Sequence, residues 1–356
     1  MQKAKQTFIE SARALCLPHY KLGHFTHCHM QCGRLHSPSS EVQYQLASNT
    51  LARYDLASLT KALVTSPLVF WSLSKEGKKL SCKIQDWLGS THSKFSKKIL
   101  EMPIMSLLSH RSGLPDWGCL WTVCLGDRSQ SLCPRDRLFF RLNNFADSCS
   151  PSGAYVYSDL GFIILGLCLE EKYNLRLNDL FQELLSDMGL SESTLSFNRK
   201  HTEREQSIPV GFCPMRGREL AGEVHDENAS VLSGEMGHAG LFGTLKDIAD
   251  FLAALTEVDW GRWLINENRQ QRSFGERMVG LSGWHQGSGD SSKPFKNGRS
   301  IGHLGFTGTA FWMDPDSYQY GILLTNRIIH ARISPWITRF RSSIFSLMNN
   351  YLGSLH

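Results

Sequence analysis

No long basic run, no long apolar run and no disulfide-like spacing of cysteines occurs in this chain of 356 residues. Each absence removes a class of function. The net charge of +5 is spread along the chain, and Lys94 to Lys98 is the nearest approach to a basic run. The electrostatic footprint of a nucleic-acid binder is therefore missing. The longest apolar run, Gly161 to Leu169, falls far short of the roughly 20 residues a membrane-spanning helix requires. Met1 to Cys16 lacks the apolar core and small-residue cleavage site of a signal peptide. The ten cysteines are scattered, and Cys168 and Cys213 sit in apolar contexts. This predicts reduced, buried thiols and a cytoplasmic location. A periplasmic or extracellular location is the alternative if the true N-terminus carries an export signal. No internal repeat and no low-complexity linker divides the chain, so residues 1–356 are expected to form a single domain.

What is present is an ordinary globular composition, 41% hydrophobic and 20% charged, with enough apolar material for a large core. Met1 to Cys16 reads as an amphipathic helix with Phe8, Ile9, Ala12 and Leu15 on one side. Tyr20 to Thr26 and Met30 to Leu35 alternate like the strands of a hairpin. A helix carrying Ser58 is expected to end near Gly77. Further helices are expected at Ile99 to His110, Gly161 to Glu171 and Asn178 to Met188, and from a capping-box-like start at Thr244 to Asp247 into Ile248 to Leu255. Strands return at Gly280 to His285, Ser300 to His303, Thr309 to Asp314 and Tyr318 to Thr325, before a helix from Ser334 to Leu352. Strands at both ends and helices between them predict an α/β (α+β) fold. One antiparallel sheet would be built from residues 1–80 and 251–356, with a mainly helical insertion at 81–250.

His24, His27, Cys28, His29, Cys32 and His36 crowd into one short segment. Zinc is bound by such side chains, but no second cluster closes a tetrahedral site. Side chains alternating along a strand cannot all converge. No metal and no cofactor is expected.

Ser58-Leu59-Thr60-Lys61 places a hydroxyl and an amine one helical turn apart. An amine can help activate a serine nucleophile where no histidine is available. The spacing alone better fits a capping serine and a surface lysine, and Ser72-Leu73-Ser74-Lys75 repeats it at a polar helix end. Two further segments carry chemistry. Tyr157-Ser158-Asp159 precedes an apolar helix, where the phenol can transfer protons and the serine or aspartate can cap. Gly302-His303-Leu304-Gly305-Phe306 has glycines spaced for close approach of a backbone or a ligand, which an oxyanion hole requires. A glycine-rich turn with a structural histidine is the plainer alternative there.

Ser-x-x-Lys, Tyr-Ser-Asp and His-x-Gly in this order resemble the serine β-lactamase and penicillin-binding protein superfamily. The branch resembled is the class C β-lactamase-related serine hydrolases, peptidase family S12. Met105 to Pro115, Gly222 to Ala229 and Gly237 to Thr244 are also similar to segments of that branch. The resemblance implies a serine β-lactamase/transpeptidase-like fold and an acyl-enzyme on Ser58, assisted by Lys61 and Tyr157. It implies an oxyanion hole from the backbone N–H groups of Ser58 and Phe306, beside Gly305. His303 would face the substrate on an edge strand, where many relatives carry lysine. His225 and His238 are candidates for the pocket wall, and His110 for a structural role. Two departures stand out. Asp159 replaces a common asparagine and is expected to pair with Lys61 and keep it charged. His303 replaces a permanent cation with a group mostly neutral above pH 6.5. Both favour a small ester, amide or peptide substrate over an anionic β-lactam. The alternative is a non-catalytic binding or sensing module on the same fold.

Overall fold

The computed structural model describes residues 1–47, 53–89, 94–125, 133–149, 153–198, 204–269, 273–274, 277–278, 282–286 and 300–355. Helix α1 (Gln2–Lys21) buries Phe8, Ala12 and Cys16, which recur every fourth residue along one face. It continues past Pro18, whose missing N–H falls in the last turn. The expected strand Tyr20–Thr26 therefore does not form. Instead His19 packs 4.7 Å from the ring of Phe340 and 5.1 Å from that of Trp336, which anchors the end of the helix. The first hairpin is β1 (Cys28–Arg34) with β2 (Ser37–Leu46). The crowded histidines and cysteines disperse accordingly. His24 stacks on Trp336, His29 lies edge-on to Tyr54, and His36 bonds Thr256.

Strand β3 (Tyr54–Asp55) leads through a π-turn (Lys61–Thr65) into α2 (Ser66–Lys75). The expected helix Ile99–His110 is two short helices, Lys97–Leu100 and Ile104–Leu108, because Pro103 interrupts the run. Helix α3 (Asp159–Tyr173) is apolar all round and passes through the middle of the larger core, with Leu160 to Leu169 buried. Strands β4 (Ser196–Phe197) and β5 (Leu241–Gly243) join β3 in a small sheet of order β3-β5-β4. Helix α4 (Leu245–Glu257) starts at the expected capping box. Thr244 Oγ1 accepts from the Asp247 N–H and the Asp247 carboxylate accepts from the Thr244 N–H. Helix α5 (Asp259–Arg269) follows.

Late strands complete the main sheet: β6 (His285–Gln286), β7 (Ile301–Leu304), β8 (Ala310–Met313) and β9 (Gln319–Thr325). Gly280 and Leu281, the start of one expected strand, lie outside the described residues. The order β6-β7-β8-β9-β1-β2 is antiparallel throughout, so both ends of the chain build one sheet. Helix α6 (Ile337–Gly353) packs with α1 over one face through Phe8, Cys16, Phe340, Ile344 and Met348. The helical region covers the other face. Burial on both faces is why β1 is closed to solvent from Cys28 to Gly33, with polar His29 and Gln31 buried alongside Cys28, Met30 and Cys32. No described helix is long and apolar enough to cross a membrane.

Candidate active site

Ser58 follows a sharp backbone elbow. Ala57 has φ +48°, a left-handed conformation that costs a residue with a Cβ about 1–2 kcal/mol. Buried Asp55 holds the elbow. One carboxylate oxygen accepts from the Ala57 N–H at 2.8 Å and the other from the His225 N–H at 2.7 Å. Burial raises the Asp55 carboxyl to about 6 although both N–H groups oppose it. The helix that follows opens as a π-turn. The Ser66 N–H bonds Lys61 O, five residues back, so Ala62 O is skipped. The indole N–H of Trp284 takes that carbonyl at 2.9 Å.

Lys61 is completely buried, and its Nζ gathers the site. It lies 3.0 Å from Ser58 Oγ, 2.9 Å from the Tyr157 hydroxyl, 2.7 Å from the Asp159 carboxylate and 3.4 Å from His238 O. Burial pushes the ammonium toward its neutral form. The negative charge of Asp159 and the oxygen of Tyr157 outweigh this, and its pKa rises above the ordinary lysine value. The competing Ser72–Lys75 pair has no such setting. Lys75 is half-exposed beside Asp187, and Ser72 bonds Trp87 and Tyr173.

Tyr157 stands just before α3, whose N-cap is Ser158. Three imidazoles pack around its ring, those of His110 at 4.6 Å, His285 at 5.5 Å and His303 at 6.1 Å between centroids. Burial holds His303 well below the ordinary histidine range, and the neighbouring His285 and the Lys61 ammonium lower it further. Its position corrects the expectation. His303 is wholly buried under His285, 4.3 Å away, and its Nδ1 bonds Leu304 O at 2.8 Å. Nor is β7 the edge strand, because β6 pairs outside it at Ile301 and Gly302.

Gly305 begins the turn after β7. A Cβ there would overlap Thr309 Oγ1 and come 2.8 Å from Leu56 O, two residues before Ser58. Only glycine allows this approach. Thr307 and Thr309 hydroxyls donate to Asp55 O and Leu56 O, and buried Arg341 on α6 donates to Gly305 O at 2.7 Å and Thr309 O at 2.9 Å. The turn is thus tied to the Ser58 elbow on one side and to α6 on the other. Neither the Ser58 nor the Phe306 N–H has a hydrogen-bond partner among the described residues. The Phe306 ring is exposed between the guanidiniums of Arg327 and Arg332 and stacks on His225.

His238 lies behind Lys61 rather than in the mouth. It is buried, and its Nε2 is 3.0 Å from Asp226 Oδ1. Burial alone would raise the Asp226 carboxyl, but His238, the Ala229 N–H and Lys61 together hold it well below the usual range. The Asp159, Asp226 and His238 ligand atoms lie within 4.8 Å of one another, a group of metal-binding size. The Lys61 ammonium beside Asp159 already supplies a cation there. Sequence reasoning missed Asp55, Arg341 and His285 in this site. Asp55 ties to the His225 N–H, His285 packs on Tyr157 and Arg341 reaches Gly305 O, contacts between segments more than 30 residues apart that leave no local pattern.

The profile of the Beta-lactamase family matches residues 32–330. An N-acetylmuramyl-L-alanine amidase of Bacillus subtilis (strain 168) is 28% identical over 314 residues, covering 78% of this chain and 68% of that protein. A putative D-alanyl-D-alanine carboxypeptidase of Escherichia coli (strain K12) is 23% identical, covering 80% and 71%. Among solved structures, the D-amino acid amidase from Ochrobactrum anthropi SV3 superposes with a TM-score of 0.69 at 16% identity, covering 98% of this chain and 99% of that one. The class C beta lactamase from Rhodobacter sphaeroides gives 0.67 at 14%, covering 96% and 99%. These structural likenesses carry the fold. With the family profile spanning most of its length, the chain belongs to the beta-lactamase family.

Proposed function

We propose that this protein is a serine hydrolase that forms an acyl-enzyme on Ser58 and acts on a small amide, peptide or ester. The observation that carries this is one buried ammonium, Lys61 Nζ, within 3.0 Å of both Ser58 Oγ and the Tyr157 hydroxyl. Lys61 held as a cation is not the proton acceptor. Tyr157, reacting as its phenolate beside the Lys61 ammonium that stabilises this anion, takes the Ser58 proton and becomes a neutral phenol. The Ser58 oxygen attacks the carbonyl, whose oxygen moves into the two unpartnered N–H groups of Ser58 and Phe306. Tyr157 returns the proton to the leaving amine or alcohol, and water then hydrolyses the ester by the same route.

The relatives named as amidases and a carboxypeptidase favour an amide or peptide substrate. A neutral, buried His303 in place of a cation disfavours an anionic β-lactam. The test is intact-mass spectrometry after a fluorophosphonate, with Ser58→Ala as control, together with turnover of D-amino-acid amides, aryl esters and cephalosporins. A serine adduct absent from the variant, with amide or ester turnover, is expected. No adduct and no turnover would show a non-catalytic module. Cephalosporins hydrolysed faster than amides and esters would overturn the substrate assignment.

A further inference from the structure

His110 lies outside the group that touches Ser58, yet it grips Tyr157 from both sides. Its backbone carbonyl accepts from the Val156 N–H at 2.9 Å, and its Nδ1 accepts from the Ser158 N–H at 2.9 Å. The backbone N–H groups of both chain neighbours of Tyr157 are therefore held by a single residue. The imidazole also lies against the phenol ring, 4.6 Å between centroids and tilted by 35°. To do all three, His110 takes φ +57°, a left-handed conformation that is uncommon for a residue with a Cβ. Such strain persists only where surrounding structure enforces it.

We infer that His110 is the positioning residue for Tyr157, and that its neutral form with an unprotonated Nδ1 holds the phenol against Lys61. This rests on the proposed role of Tyr157 in proton transfer. A nitrogen accepting from a peptide N–H carries no hydrogen, so the proton sits on Nε2. Burial, with the neighbouring His285 and the Lys61 ammonium, opposes the imidazolium that would break this bond. The segment 153–158 before α3 has no helix or strand of its own to set the phenol. Without the grip, the 2.9 Å contact between Tyr157 and Lys61 loses its fixed partner geometry. Misplacement of a catalytic group by about 1 Å costs on the order of 100-fold in rate.

Three variants separate the acceptor from the backbone. His110→Gly relieves the left-handed strain and removes the acceptor. His110→Ala removes the acceptor and keeps the strain. His110→Asn supplies a side-chain oxygen at a similar place on a residue that tolerates φ near +60°. The measurements are kcat and KM on the substrate the wild-type turns over, with melting temperature. The expected result is a kcat lower by about 100-fold in both Gly and Ala variants, KM within about threefold, and kcat within about fivefold of wild type in Asn. Equal kcat in the Gly and Asn variants, or losses that track melting temperature alone, would overturn the assignment. A wild-type protein with no Ser58 adduct and no turnover would overturn the hydrolase reading and this inference with it. An active wild type with an unaffected His110→Gly variant would overturn the inference alone.

Discussion

Replacing Asp159 by asparagine removes one charge from the centre of the site with almost no change of shape. In the wild type its carboxylate is 2.7 Å from a completely buried ammonium. At an effective dielectric constant near 20 that attraction is about 6 kcal/mol, before the cost of desolvating both ions is subtracted. Breaking one partner of such a pair typically costs about 3–5 kcal/mol, because the surviving charge stays buried. An unfolding entropy of about 2.1 cal/mol/K per residue over 356 residues converts this to a fall in Tm of about 4–7 °C. The pH dependence identifies the cause. In the wild type the folded-state pKa of Lys61 is raised, so its contribution is complete at neutral pH and is lost only as pH climbs through that raised value. In Asp159→Asn burial is less opposed and the folded pKa falls below that of the unfolded chain. The variant then gains stability as the lysine gives up its proton with rising pH. Its deficit relative to wild type is largest near pH 7 and narrows toward pH 10. Thermal unfolding of both proteins from pH 6 to 10 measures this. A deficit below about 1 kcal/mol, or one independent of pH, would refute the account of Lys61 as a cation held by Asp159.

Other perturbations test other parts of the site. Tyr157→Phe should lower kcat by about 100- to 10,000-fold while leaving a fluorophosphonate-accessible Ser58, and near-wild-type turnover would sink the division of labour between Tyr157 and Lys61. Gly305→Ala should cost about 1–3 kcal/mol and reduce turnover, since the added methyl meets Thr309 and Leu56 O; unfolding and rate assays on one preparation check both. Asp55 has a raised folded pKa of about 6, so it binds its proton more tightly in the folded state. Its contribution to stability therefore falls as pH rises from about 4 to 6, and Asp55→Asn should flatten that part of the Tm profile.

Much of this architecture was legible in residue order, and some was not. The strands after residue 300 are bounded by strong turn residues. Pro315-Asp316-Ser317 forms the connection between β8 and β9, with the Asp314 side chain accepting from the Asp316 N–H. Tyr20 to Thr26 misled because alternating aromatic and polar letters imitate a strand. Ring packing of His19 and His24 on Trp336 and Phe340 decides that segment instead. The Lys61–Asp159 pair was foreseeable from the chemistry of a carboxylate beside an ammonium. The buried setting of His303 was not, because it depends on His285 arriving from another strand. The π-turn at Lys61 is equally invisible locally, since the carbonyl it frees is satisfied by an indole more than 200 residues away.

Arg341 gives the site an order of assembly. The turn carrying the Phe306 N–H is held from behind by a guanidinium on α6, and α6 itself rests on α1 and the sheet. During synthesis, Ser58, Lys61 and Tyr157 all leave the ribosome well before Arg341 does. A nascent chain therefore carries Ser58, the proposed nucleophile, before the turn that bears the Phe306 N–H can be braced. On the proposed mechanism, competence for turnover waits until α6 docks beside α1.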